Sequence, residues 1–467
     1  MRYFALFVLI ISQVAAAQDA GKKSPQVVEL ECSPADEPSP IFKYRFRPSF
    51  LDMSDQNSVA MYFQARELLP SDYQDKAKQV NEWITMPIDE LPMKEVTEFV
   101  ATLDPVFNSL NRAVLREQFQ MDLPLREEHI GLLLPHLSPF RDLARCIALK
   151  AKLHTANNEP TNAISTLMLG FRFAQHVGEG DTLIERLVAV SIAQMMLEQV
   201  DSLIQLKDAP NLYWALAELP RPLISMPDAL FAERTLIYMA IPKLRDVTKD
   251  IESREDWSEV AEVGIQMLKL FSQLGNGDSD NVLAAVTKQT AAGKAIYNKA
   301  RAYVLSLGIP ETKLNDMPHP AVICIHWVHQ YEVERDRLMR WAYLPFPIAI
   351  RGMNETEKMF NDSNSDLSPI AKVLLPAIKN AVFAGIRIDR KVAQLMTVES
   401  VRIHLANHKK LPASLSDLNQ APPLPDPATG RLFGYRLDDE AAVIEAPAPQ
   451  GFSEDRGLTY QLRIRPE

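Results

Sequence analysis

A mainly α fold is the architecture this sequence predicts: an irregular antiparallel helical array with a small C-terminal antiparallel β unit. Three observations lead there. Apolar residues recur at helical spacing over most of the chain up to about residue 408. Only 16 glycines occur among 467 residues, too few for a loop-rich β protein. Sustained period-two alternation gathers near the end, as in Leu458, Tyr460, Leu462 and Ile464.

The elements follow in order. Met1-Arg2 begins with a positive charge, Phe4 to Val14 is almost wholly apolar, and Ala15-Ala16-Ala17 offers small residues before polar Gln18-Asp19. That order is a secretory signal peptide, cleaved near Ala17, which places the mature chain in the periplasm or outside the cell. The apolar stretch is shorter than the ~20 residues a bilayer span needs, and no later stretch is apolar enough to serve as one. Residues 18–40 read as a disordered linker, interrupted by Pro25, Pro34, Pro38 and Pro40. Phe42 to Arg47 alternates apolar and basic residues and suggests one strand.

A helical domain spans 41–385 in this reading. Ser138-Pro139 and Ser368-Pro369 each place a cap before a first-turn proline. Thr182-Leu183-Ile184-Glu185 is a capping box, and the run from Leu187 to Leu197 is apolar almost all round. The central core helix is therefore set at 182–205. Residues 140–177 look like one tetratricopeptide-type hairpin, with Ala151, His154, Ala163, Leu167 and Gly170 at the repeat's offsets. Its period of roughly 34 residues does not recur, since Glu185 stands where a small residue is needed.

Residues 386–467 form the last region, a long helix plus a small sheet. Leu411-Pro412 ends the helix, and Pro422, Pro423, Pro425 and Pro427 crowd a loop. Segments 432–437, 441–446 and 458–464 read as three short strands.

Several phrases resemble an uncharacterised family of exported, mostly helical bacterial proteins. They are Phe42-Lys43-Tyr44-Arg45, Asp181-Thr182-Leu183-Ile184, Ala209 to Leu216, Leu219-Pro220-Arg221-Pro222 and the ending from Leu411 to Tyr435. That resemblance implies export and helical architecture, and no chemistry. The ending Leu411-Pro412-Ala413-Ser414-Leu415, Leu424-Pro425-Asp426-Pro427, Gly430 and Tyr435 is also similar to the globular part of type II secretion pseudopilins. It covers about a tenth of the chain and implies a shared small unit in which aspartate and glycine shape a turn.

Chemical signals are sparse. The chain has no G-x-S-x-G elbow, H-E-x-x-H or phosphate-binding glycine loop. His404 and His408 have metal-ligand spacing on a helix, but cations beside Lys409 and Lys410 also suit a helix C-terminus. His326 and His329 are spaced for one face, with Glu332 beyond; they read as a wet polar face opposite Cys324, Val328 and Tyr331. Asp362 to Asp366 begins like a calcium loop, but Leu367 and Val373 stand where glycine and a closing acid belong. Tyr213 and Trp214 read as anchors of a short helix. Cys146 sits in an apolar run and reads as a core thiol, while any pairing among Cys32, Cys146 and Cys324 is open.

The net charge of -10 excludes a basic nucleic-acid footprint and a polybasic membrane patch. No metal and no cofactor is expected, and catalytic residues cannot be named. The sequence favours a non-catalytic structural or interaction protein with a protein partner in the cell envelope. The alternatives are an exported hydrolase with a dispersed site and an accessory of a secretion or envelope assembly.

Overall fold

The computed structural model describes residues 24–124, 134–249, 251, 253–274, 284, 290–361, 378–438 and 441–465. The signal segment, the loop 275–280, Asp362 to Asp366 and the helix start at Ser368-Pro369 lie outside them.

Strand β1 (Gln26–Cys32) comes first, then β2 (Ser54–Asn57). Four helices follow: α1 (Val59–Glu67), α2 (Tyr73–Thr85), α3 (Met93–Thr102) and α4 (Asp104–Val114), closed by β3 (Arg116–Gln118). Next are the long helices α5 (Leu137–Ala156), α6 (Pro160–Val177) and α7 (Leu183–Leu203), and the short α8 (Tyr213–Ala217), α9 (Pro227–Glu233) and α10 (Leu236–Ala240). α11 (Ser258–Leu274), α12 (Ala291–Ser306), α13 (Glu311–Asn315), α14 (His319–Met339) and α15 (Phe346–Asn361) precede the longest helix, α16 (Ile378–His408). β4 (Gly434–Asp438), β5 (Ala441–Ala446) and β6 (Leu458–Ile464) end the order. The fold is mainly α with a small C-terminal antiparallel sheet, as the composition and periodicity predict.

The chain divides into two compact units. The larger comprises Gly21–Asp122, Leu134–Ala229 and Ala381–Glu467, and the smaller is built on Leu230–Asn380. This grouping differs from the expected boundary at 385: the C-terminal elements pack with the first helices. Sequence order hides this because long-range packing, not adjacency, joins them.

In the larger unit, α5, α6 and α7 pack on one another. The Thr182 hydroxyl accepts the Glu185 N–H at 3.2 Å, and the Glu185 carboxylate accepts the Thr182 N–H at 3.0 Å, so α7 starts at its capping box. Val188, Ala189, Ile192, Ala193, Met196, Leu197 and Val200 are all buried. Gly170 of α6 permits the close approach: a methyl group there would overlap Met196 and lie 3.1 Å from Ile147. The Ser138 cap is displaced, for α5 begins at Leu137 with His136 at its N-cap and Pro139 inside the first turn. α16 buries Val392, Leu395, Met396 and Ile403, together with Arg390 and Arg402. The Arg390 guanidinium donates to both Asp426 oxygens at 2.9 and 2.8 Å, fixing the turn in which Gly430 has φ +71°.

The sheet order is β1-β6-β5-β4. β4, β5 and β6 are antiparallel, and β1 pairs parallel with β6, Val28 opposite Tyr460. Reading 18–40 as a disordered linker is thus wrong for 26–32. Pro25 and Pro34 bound the strand rather than forbid it, and its partner lies at the far end of the chain. Phe42 to Arg47 is no strand: Ile41–Lys43 is one 3₁₀ turn. Phe42 stays 57% exposed while Phe46 is buried against Phe171, with rings 5.0 Å apart. The alternation there reflects single anchors without a pairing strand.

In the smaller unit α14 packs against both α11 and α12. Its core joins Trp257, Val260, Val263, Met267, Val304, Cys324 and Val328. Among the described residues, no helix of either unit is long and apolar enough to cross a membrane.

Candidate functional site

The larger unit carries a cleft with about 920 Å3 of water-accessible space. Its walls are the C-terminal end of α2 and the following Met86 to Asp89, Lys152 of α5, and the α7 face bearing Glu198, Gln199 and Ser202. Gln205, Leu206 and Lys207 continue that wall, and Glu31 and Arg465 stand at the sheet side.

Lys152 is buried in the cleft wall. Its Nζ donates to the Ile84 carbonyl at 2.8 Å and to the Met86 carbonyl. The carbonyls at a helix C-terminus lack partners within the helix and carry the negative end of its dipole, so the ammonium closes α2. Burial pulls the Lys152 amine down to about 8.

Gln199 differs. It is only 3% exposed, yet its carboxamide oxygen has no hydrogen-bond partner among the described residues. A buried acceptor without a donor costs roughly 1–3 kcal/mol. Two residues along, Asp201 is well partnered: its carboxylate lies 2.8 Å from the Lys391 ammonium and accepts the Tyr460 hydroxyl at 2.8 Å. Burial raises the Asp201 carboxyl, and Lys391 opposes that rise. Gln205 turns its side chain to the sheet, accepting the Glu31 N–H at 3.3 Å and donating to the Asp201 carbonyl at 3.0 Å. Glu31 pairs with Arg465 at 3.2 Å. The cleft is thus lined by amide groups and charges of both signs.

The histidines singled out by spacing lie elsewhere. His404 and His408 lie against each other with rings 4.3 Å apart and tilted by 36°, and His404 is held below its usual range by burial and by His408. His326 is buried and packs on Tyr303, rings 4.4 Å apart, while His329 Nδ1 lies 3.0 Å from the Tyr303 hydroxyl. The wet-face reading of His326 is therefore corrected: α12 covers that side of α14 and supplies Tyr303. Glu332 does not join His329, since it accepts from the Tyr238 hydroxyl and, at 3.4 Å, from Thr248. Among the described residues no three histidines, cysteines or acids gather as a metal site.

Tyr213 and Trp214 act as anchors. The Tyr213 hydroxyl donates to the Pro422 carbonyl at 2.6 Å and the Trp214 N–H to Glu37 at 2.7 Å. Cys32, Cys146 and Cys324 are free and buried, and burial pushes each thiol up to about 12.

Sequence reading missed Lys152, Gln199 and Gln205. One signal existed: Ala148, Ala151, Lys152 and Thr155 share the buried stripe of α5, so a lysine occupies a core position. No protein-family model, curated protein or solved structure matches the chain.

Proposed function

We propose that this chain is a non-catalytic binding protein, exported by its N-terminal signal, that holds a polar ligand or partner segment from the cell envelope in the Lys152–Gln199 cleft. The carrying observation is the orphan carboxamide oxygen of Gln199. A buried acceptor that weakens the free protein makes sense where a ligand completes it. The alternative of an exported hydrolase needs a free nucleophile there, and the Lys152 amine is committed to two carbonyls.

Replacing Gln199 by leucine tests the reading. The variant removes the unpaired acceptor, so the ligand-free protein should unfold about 1–2 kcal/mol later by denaturant titration. Native mass spectrometry of protein purified from its own cell envelope should show a bound species on the wild type that is missing from Gln199→Leu. A variant that is less stable and keeps the same bound species would sink the proposal.

A further inference from the structure

Strand β1 is the edge of the four-stranded sheet, and among the described residues its outer side is unpaired at Val27 and Glu29. In a parallel pair, the N–H and C=O of one residue point to the same neighbour, and successive residues alternate. The Gln26 N–H reaches the Gly457 carbonyl at 3.1 Å, and the Arg465 N–H reaches the Cys32 carbonyl at 3.0 Å. Residues 26, 28, 30 and 32 therefore face β6, and Val27, Glu29 and Glu31 present their main chain outward. The Glu31 N–H is taken by the Gln205 side chain, whose carboxamide stands where the amide of a next strand would lie. No described residue takes the outward N–H or C=O of Val27 or Glu29. Val27 is 55% exposed, and Glu29 and Glu31 are exposed beside it.

An open edge invites another strand. A second copy of this chain is a poor occupant. Two-fold antiparallel pairing about Glu29 or Leu30 sets glutamate opposite glutamate, and like charges directly opposite are destabilising. The chain's net charge of -10 adds to that repulsion. A cationic strand meets the opposite situation. Among the described residues the outward Glu29 is held only by Arg463 at 3.7 Å, with both side chains more than half exposed, so the pair yields readily to an incoming cation. Beyond Glu31 the edge runs into the cleft that contains Gln199.

We propose that β1 is a docking edge for an extended peptide with basic residues at alternate positions, which adds as a fifth strand beside Val27 and Glu29. The proposal deepens the binding-protein reading and rests on it, but uses main-chain groups of β1 rather than the Gln199 carboxamide. Its specificity is of two kinds: main-chain hydrogen bonds demand an extended backbone, and Glu29, held loosely by Arg463, selects a cationic side chain.

The test uses the full mature chain and a short fluorescent peptide of alternating lysine and valine, read by anisotropy. Three further peptides serve as comparisons: one with glutamate for lysine, and two N-methylated on one or the other alternate set of backbone amides. Strand addition predicts binding of the lysine peptide, none of the glutamate peptide, and loss with only one of the two methylated sets. Val27→Pro removes an outward N–H that β6 does not use, and proline is tolerated on an edge strand. It should weaken peptide binding about tenfold with an unchanged melting curve. Should it alter melting, the methylated peptides decide alone. Equal binding of both methylated forms, or no binding of the lysine peptide, overturns the proposal. Gln199→Leu separates the two ideas. If it abolishes the species carried from the cell envelope while neither methylation nor Val27→Pro affects the peptide, the edge has failed and the cleft stands. If the edge behaves as expected while Gln199→Leu retains that species, the cleft reading has failed.

Discussion

Residue by residue, the larger unit concentrates polar groups in its core, and His176 shows what this does. The ring is fully buried, its Nδ1 lies 2.6 Å from the Tyr62 hydroxyl, and it stacks beside Phe119. Burial first, and the charge of Arg172 second, bring its imidazole down to about 3. The unfolded chain takes up that proton near pH 6.5. The folded chain resists until about pH 3, so stability is lost as pH falls through this window, by about 2 kcal/mol at pH 5. Asp389 works the other way. Burial pushes its carboxyl up to about 6, so it is protonated earlier in the folded state and favours folding as pH falls. The useful measurement is therefore a difference. Urea titrations of wild type and His176→Gln at pH 7 and pH 5 should show the wild type losing about 2 kcal/mol more than the variant. Parallel pH dependence in the two proteins would mean that His176 does not titrate in this way.

At the scale of elements, α16 and the C-terminal strands form one construction. Arg390 is paired with Asp426, the Gln394 side chain donates to the Leu458 carbonyl at 3.0 Å, and Tyr435 reaches the Pro412 carbonyl at 2.8 Å. A chain ending at Lys410 would strand the buried Arg390, deprive Asp201 of Tyr460 and leave β1 without β6. Breaking a buried pair costs on the order of 3–5 kcal/mol, so the truncated protein should aggregate on size exclusion and lose the cooperative melting of the larger unit. A monomer with an unchanged melting curve would make the sheet an independent appendage.

Much of this construction was legible: the capping box of α7, the proline stop after α16, Gly430 and the three late strands all carry local signals. β1 did not, because a seven-residue strand flanked by prolines is identified by its partner, and that partner is remote in sequence. The cleft was illegible for a related reason. Lys152, Gln199 and Gln205 belong to two helices and the loop after one of them, and nothing in their spacing brings them together. His326 and His329 were the reverse case, with ligand spacing but rings engaged by Tyr303.

For the whole molecule, the proposed export rests on the order of positive start, apolar run and small residues in the sequence. Replacing Leu9 and Ile10 by arginine should retain a full-length precursor in the cytoplasm, read by fractionation and intact mass. Mature-length protein outside the cytoplasm would contradict export by this segment. A negatively charged chain with free, buried cysteines can remain unpaired in an oxidising compartment because its thiols stay protonated and covered.

The pairing of β1 with β6 has a consequence for timing. Arg465 and Glu31 are 434 residues apart, so the first strand is made long before its neighbour exists. Loop closure over that distance is entropically expensive, and contacts of this kind form late. The larger unit can gather its early helices as they emerge, but it cannot close its sheet until the last strand arrives. An interrupted chain is thus left with a bare strand near its start, displayed to proteases and chaperones. The join between first strand and last serves as a test of completeness, passed only by a molecule that has been made through β6.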